Sequence, residues 1–125
     1  MNKQEYDFDF PMSVLNGRVS IALSKLGLNE FYASFKYLRD VLIHIFKEKD
    51  DSSNTIREGL KNVQAKYGIT DKTLLNAMAK VFSMCPEHIF ASSPLYGKIR
   101  LNFHHKTRLV KDYVLSEIKK SNMAV

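Results

Sequence analysis

Four polar side chains recur at helical spacing in the segment from residue 70 to residue 83. Lys72, Asn76 and Lys80 lie four residues apart and Thr73 lies three before Asn76, so one side of a helix would carry them all. An asparagine amide both donates and accepts, so it can bind the edge of adenine with two hydrogen bonds, and lysine can reach guanine or a phosphate. Such a surface could bind double-stranded DNA.

Two predicted helices and the turn between them must position those side chains. The third helix ends at Tyr67-Gly68, Ile69 fills the junction, and Thr70 is a favourable N-cap for the fourth. This layout is typical of a helix-turn-helix, whose second helix, the recognition helix, enters the major groove. The same layout occurs in helical bundles that never bind DNA, so spacing alone leaves both interpretations open. The apolar residues expected to face the core are Leu74, Ala77, Met78, Val81 and Phe82.

The whole chain indicates an all-α domain of about six helices. We expect residues 1–12 to form a flexible tail, residues 13–120 the domain and residues 121–125 a second tail. Apolar residues at positions 99, 101 and 103 alternate with polar ones, so this region could be one extended segment. The helices are predicted to span about 13–26, 29–49, 54–67, 70–83, 87–91 and 107–120.

The positive charge is concentrated near the carboxyl terminus. The net charge is +6, and residues 98–125 hold seven basic and two acidic residues, against 12 basic and 11 acidic in residues 1–97. Clustered cations favour a polyanion partner, although a solvated basic helix has the same composition. As phosphate contacts we expect Lys66 and Thr70 at the turn, and Lys106 and Arg108 before the last helix.

Other chemistries have little support in the sequence. Cys85 is the only thiol, and the four histidines lack partners at metal-site spacing, so we expect no metal site. Because phosphate loops, nucleophile elbows and paired-carboxylate motifs are absent, we expect no enzyme, no cofactor and no small-molecule substrate. The sequence shows no signal peptide and no apolar run of about 20 residues, so we expect a cytoplasmic protein without membrane contact.

An aromatic cluster follows the first predicted helix. Phe31, Tyr32, Phe35 and Tyr37 could stack against nucleic-acid bases. Their helical spacing favours burial in the core instead, and we predict burial.

Short motifs with a recognisable order and spacing extend from about residue 14 to residue 120. The chain resembles the carboxy-terminal effector domain of the sporulation master regulator, stage zero sporulation protein A. The residues that carry the resemblance are Ser20-Ile21-Ala22-Leu23-Ser24-Lys25-Leu26-Gly27, Tyr37-Leu38-Arg39-Asp40, Lys66-Tyr67, Thr70, Ala77, Ser93-Pro94-Leu95-Tyr96-Gly97 and the helix from Leu109 onward.

The resemblance implies a six-helix transcription regulator whose fourth helix reads DNA as the output arm of a response regulator. The receiver domain of that regulator has no counterpart in this sequence, which leaves open a free-standing domain or a removed receiver. Leu75 and Asn76 stand where the family has glutamate and arginine, and Ala79 and Lys80 where it has arginine and histidine. We therefore expect an altered DNA preference.

A protein-interaction module is the alternative interpretation. A degenerate relative could keep the fold, lose specific DNA binding, and dimerise with or antagonise a regulator. Leu75 favours this alternative, because leucine on a groove-facing surface suits a protein partner better than DNA. The sequence leaves a homodimer or a regulator partner open.

Overall fold

Apolar residues at helical spacing fold this chain into an all-α structure, as predicted. The computed structural model describes residue 6, residues 10–91 and residues 102–123, and it contains no strand in these parts of the chain. The helices are α1 Met12–Lys25, α2 Ala33–Glu48, α3 Ser53–Tyr67, α4 Asp71–Met84, α5 Glu87–Ala91 and α6 Phe103–Met123.

The central element is α2, which packs against α1, α3 and α4, while α6 packs against α1 and α5. Apolar side chains cover most of the α2 circumference, so this helix is buried on several sides. Its buried residues are Ser34, Phe35, Tyr37, Leu38, Val41, Leu42, Ile43, Ile45 and Phe46. No helix in the described part of the chain combines the length and the apolar character needed to cross a membrane.

The α2 helix begins four residues later than the sequence predicts. The Asn29 side-chain oxygen accepts a hydrogen bond from the Phe31 backbone N–H (2.9 Å), and the Tyr32 N–H donates to the Asn29 carbonyl (3.1 Å). This local turn competes with the helix. It leaves Phe31 84% and Tyr32 46% exposed, so the predicted burial is wrong for these two residues and confirmed for Phe35 and Tyr37.

The last helix is longer than predicted at both ends. The Asn102 side-chain oxygen accepts from the His105 backbone N–H (2.9 Å), and this cap allows α6 to begin at Phe103. The helix continues to Met123, so the predicted second tail is wrong for residues 121–123. Residues 99–101 of the extended segment and the motif at 93–97 lie outside the described residues.

Part of the predicted amino-terminal tail belongs to the core. Tyr6 is fully buried, with its ring centroid 6.0 Å from that of Phe46. The Arg18 guanidinium lies 4.8 Å from the Phe10 ring centroid. The prediction of a flexible tail is therefore wrong for Tyr6 and Phe10, because both aromatic rings find packing partners.

A buried lysine joins α6 to the turn between α2 and α3. Lys111 is 3% exposed, and its Nζ lies 2.8 Å from Asp51 Oδ2 and 2.5 Å from Asp112 Oδ1. The same ammonium lies 5.5 Å from the Tyr6 ring centroid. Three separate parts of the chain therefore meet at one cation.

Candidate nucleic-acid interface

The outer face of α4 is polar and exposed. Lys72, Thr73, Asn76 and Lys80 are all exposed, and α4 spans the segment predicted for the recognition helix. Among the residues that the structure describes, the side chains of Lys72 and Asn76 have no hydrogen-bond or ion-pair partner. Both side chains are therefore available to a ligand. The opposite face of α4 is buried through Leu74, Met78, Val81 and Phe82.

Three residues connect α3 to α4. Gly68 has φ +63°, a left-handed conformation that glycine adopts without strain, and the Ile69 N–H donates to the Gln64 carbonyl (3.2 Å). The Thr70 hydroxyl accepts from the Thr73 backbone N–H (3.1 Å) and caps α4 as predicted. The end of α3 and the start of α4 are thus both fixed by local hydrogen bonds.

The carboxylate of Asp40 ties the end of α3 to α2. Tyr67 Oη donates to Asp40 Oδ2 (2.6 Å), and Lys66 Nζ lies 3.1 Å from the same oxygen. Arg39 Nε donates to the other carboxylate oxygen (3.0 Å). Because α2 also packs against α4, this network fixes the turn relative to the helix that supports the α4 face.

The protonation states in this network are set by burial and by its hydrogen bonds. Burial works to raise the pKa of Asp40, but the hydrogen bonds from Tyr67, Lys66 and Arg39 outweigh it and lower this pKa. The hydrogen bond to Asp40 raises the pKa of Lys66. Burial, together with the Asp40 carboxylate, raises the pKa of Tyr67. At neutral pH the aspartate is therefore ionised and its partners are protonated.

Replacing Tyr67 by phenylalanine should lower the free energy of unfolding by about 1 kcal/mol at neutral pH. The variant loses the hydroxyl but keeps the ring, whose centroid lies 5.1 Å from that of Tyr37. The pKa of Asp40 is lower in the native state than in the unfolded state. The ionised Asp40 carboxylate therefore stabilises the fold at neutral pH, and this stabilisation is lost as the pH falls through the native pKa. The pKa of Asp40 should rise in the variant. Urea denaturation and NMR titration of the carboxyl carbon measure the two effects.

Tyr113→Phe is the matched control, because the Tyr113 hydroxyl has no hydrogen-bond partner in the described part of the chain. The control should unfold at the same urea concentration as the wild-type protein. An equal loss of stability in both variants, with an unchanged Asp40 pKa, would contradict the assigned network.

The structure does not bring all eight predicted DNA contacts together. Lys66, whose side chain is 61% exposed, lies at the turn near Thr70, close in sequence to the α4 face. Arg108 instead donates to the Asp51 carbonyl and to Ser53 Oγ, both at 2.9 Å. Ser53 begins α3 and Lys66 lies near its end. Because an α-helix rises about 1.5 Å per residue, the Arg108–Ser53 contact lies about 20 Å from Lys66. The Lys106 ammonium lies 5.8 Å from the Phe90 ring centroid.

Sequence reasoning missed an aromatic neighbour of the α4 face. Lys80 Nζ lies 5.2 Å from the ring centroid of Tyr32, in the turn before α2. This cation–π contact holds Lys80 at one edge of the face and leaves the Tyr32 ring partly exposed beside it. The signal in the sequence is the aromatic pair Phe31-Tyr32 itself, whose spacing predicts burial in the core instead.

The local charge favours an anionic ligand. Residues 61–84, which include the end of α3 and all of α4, carry four lysines and one aspartate, a net charge of +3 (4 − 1). The aspartate, Asp71, lies in the first turn of α4, where the helix dipole favours a carboxylate. The remaining charged side chains of this segment are Lys61, Lys66, Lys72 and Lys80.

His44 and Cys85 are largely covered by other parts of the fold. His44 Nε2 lies 3.4 Å from Glu58 Oε2, and Gly59 packs against the same imidazole. Burial raises the pKa of the Cys85 thiol to about 11, which keeps it protonated. Within the described residues, no three histidine, cysteine, aspartate or glutamate side chains are grouped so that they could hold a metal ion.

Comparison of the chain with protein-family models, with curated proteins and with solved structures returned no match. The side chains of α4 and their surroundings therefore carry the functional interpretation.

Proposed function

We propose that this chain is a DNA-binding domain in which α3 and α4 act as a helix-turn-helix and α4 enters the major groove. The observation that carries the proposal is the exposed α4 face. There the side chains of Asn76 and Lys72 have no hydrogen-bond or ion-pair partner among the described residues. The Asn76 amide and the Lys72 ammonium lie on the exposed side of a helix whose other side is buried. This arrangement is suited to recognition of base edges.

Each side chain of the face has a proposed role. Asn76 binds adenine with two hydrogen bonds, and Lys72 and Lys80 reach guanine or phosphate. Thr73 adds a hydroxyl to the same face, and the turn residues Lys66 and Thr70, together with Lys106, contact the backbone phosphates. We leave Arg108 out of the interface, because its guanidinium already binds the turn between α2 and α3.

The resemblance to the sporulation effector domain suggests the biological role. We propose a cytoplasmic transcription regulator with an operator of its own, because Leu75 and Asn76 occupy the positions where that family carries glutamate and arginine.

Titration of the protein against two duplex pools tests the proposal. One pool has random sequence, and the other is selected for binding to this protein. Fluorescence anisotropy at about 50 mM and about 200 mM salt should show affinity that falls steeply with salt, because phosphate contacts release counterions. The selected pool should bind more tightly than the random pool at both salt concentrations. Absence of binding to either pool at low salt would contradict the proposal.

A protein-interaction module remains the second candidate, favoured by one observation. Leu75 is 41% exposed at the edge of the polar α4 face, where an apolar side chain suits a protein partner. Duplex titration of the wild-type protein and of Leu75→Glu separates the two functions. Under the first candidate both proteins bind duplex DNA, because the sporulation effector family carries glutamate at this position. Under the second candidate neither protein binds duplex DNA.

A further inference from the structure

A groove of about 400 Å³ lies between α1 and α6, away from the residues assigned to DNA. Its floor includes the buried Ala22 and Ile118, and its α1 wall carries Val14 and Ile21, which are 39% and 61% exposed. Two exposed aliphatic side chains therefore lie in the lining of one groove, where they extend its apolar surface.

The α1 wall has the spacing of a helix-binding surface. Val14, Gly17 and Ile21 lie at i, i+3 and i+7, so they form one stripe along the helix. A Cβ added at Gly17 would meet no atom within 4 Å, so the groove is open at this position and admits the close approach of a partner helix.

The charges around the groove favour an acidic occupant. Lys25 Nζ lies 3.1 Å from Glu117 Oε2, and Lys120 Nζ lies 3.7 Å from Glu117 Oε1. Two lysines therefore flank the Glu117 carboxylate, and Arg18 adds a further cation to the groove lining, with its guanidinium 4.8 Å from the Phe10 ring centroid. A second copy of the chain would place cations against cations, which disfavours this face as a homodimer contact.

We propose that the groove between α1 and α6 binds an acidic amphipathic helix of a partner protein. Apolar side chains of that helix pack on Val14 and Ile21, its backbone crosses at Gly17, and its carboxylates face Arg18 and Lys25. This interaction uses a surface separate from α4 and does not depend on the proposed DNA binding.

Two fluorescein-labelled peptides test this inference. Both carry the same leucine stripe at helical spacing, one with glutamate and the other with lysine on the polar face. At low salt the acidic peptide should bind with a Kd at least about tenfold lower than that of the basic peptide. Gly17→Leu fills the groove, and Ile21→Glu places a carboxylate in its wall. Each variant should raise the Kd of the acidic peptide by about tenfold or more.

Ala65→Leu is the matched control, because it adds the same apolar side chain at an exposed position of α3. It should leave peptide binding unchanged. Equal binding of both peptides, or full binding by Gly17→Leu, would overturn the inference. A dimer detected by sedimentation and lost in Ile21→Glu would assign the groove to a second copy and also overturn it. Duplex affinity should be the same in Gly17→Leu and the wild-type protein, so failure here is distinguishable from failure of the proposed function.

Discussion

Replacement of Lys111 by alanine should lower the free energy of unfolding by about 3–5 kcal/mol. Lys111 is 3% exposed, and its partner Asp51 keeps only 15% of its side-chain surface. Burial works to lower the pKa of Lys111, but hydrogen bonds to Asp112 and Asp51 outweigh it and raise this pKa, so the ammonium stays charged. Its removal leaves the Asp51 carboxylate largely buried without its cation.

Urea denaturation at neutral pH measures this loss, and Lys119→Ala is the control because Lys119 is an exposed lysine on the same helix. The pKa of Lys111 is higher in the native state than in the unfolded state, so its stabilising contribution is fully present below the unfolded pKa of lysine. The loss of unfolding free energy in Lys111→Ala should therefore be constant between about pH 6 and pH 9. A loss below about 1 kcal/mol, or an equal loss in Lys119→Ala, would show that the ion pair does not hold α6 against the turn after α2.

Replacement of Asn76 by alanine should weaken binding to a preferred duplex by about 1–3 kcal/mol, or about 5- to 150-fold in Kd. The variant removes the amide that binds a base edge, so affinity for random duplex should change little. Lys72→Ala should behave differently. If its ammonium contacts phosphate, the variant weakens both kinds of duplex alike and reduces the slope of log K against log salt by about 1; if it contacts guanine, the variant weakens the preferred duplex more than random duplex.

Asn62→Ala is the matched control for Asn76, because Asn62 is an exposed asparagine on α3. It should retain wild-type affinity for both duplexes. The base-reading role of Asn76 would be wrong if Asn76→Ala lost affinity equally for preferred and random duplex, since that result describes a nonspecific contact. Circular dichroism should show that each variant keeps its helices.

The helices that depend on local signals were predictable from the sequence. The spacing of Leu74, Met78, Val81 and Phe82, with the Thr70 cap, fixes both the extent and the inner face of α4. The start of α6 was missed because Asn102 follows an alternating segment, although asparagine is a favourable cap. The start of α2 was missed because helical spacing does not reveal that Asn29 binds its own neighbours.

Contacts between distant parts of the chain were not predictable. A lysine in an amphipathic helix is expected at the surface, and the spacing of α6 does not reveal that Lys111 meets Asp51, 60 positions earlier, and the Tyr6 ring. The Asp40–Tyr67 hydrogen bond and the contact between Lys80 and Tyr32 likewise depend on how helices pack. The same limit applies to Arg108, whose partners in the turn after α2 could not be identified from spacing.

Titration of the isotopically labelled protein with a selected duplex, followed by amide NMR at about 50 mM salt, tests most directly whether the α4 face enters DNA. We expect the largest shifts on Lys72, Thr73 and Lys80 and on the Asn76 side-chain amide, while the α1 amides keep their positions. Shifts confined to α1 and α6, or no shifts at low salt, would contradict entry of the α4 face into DNA.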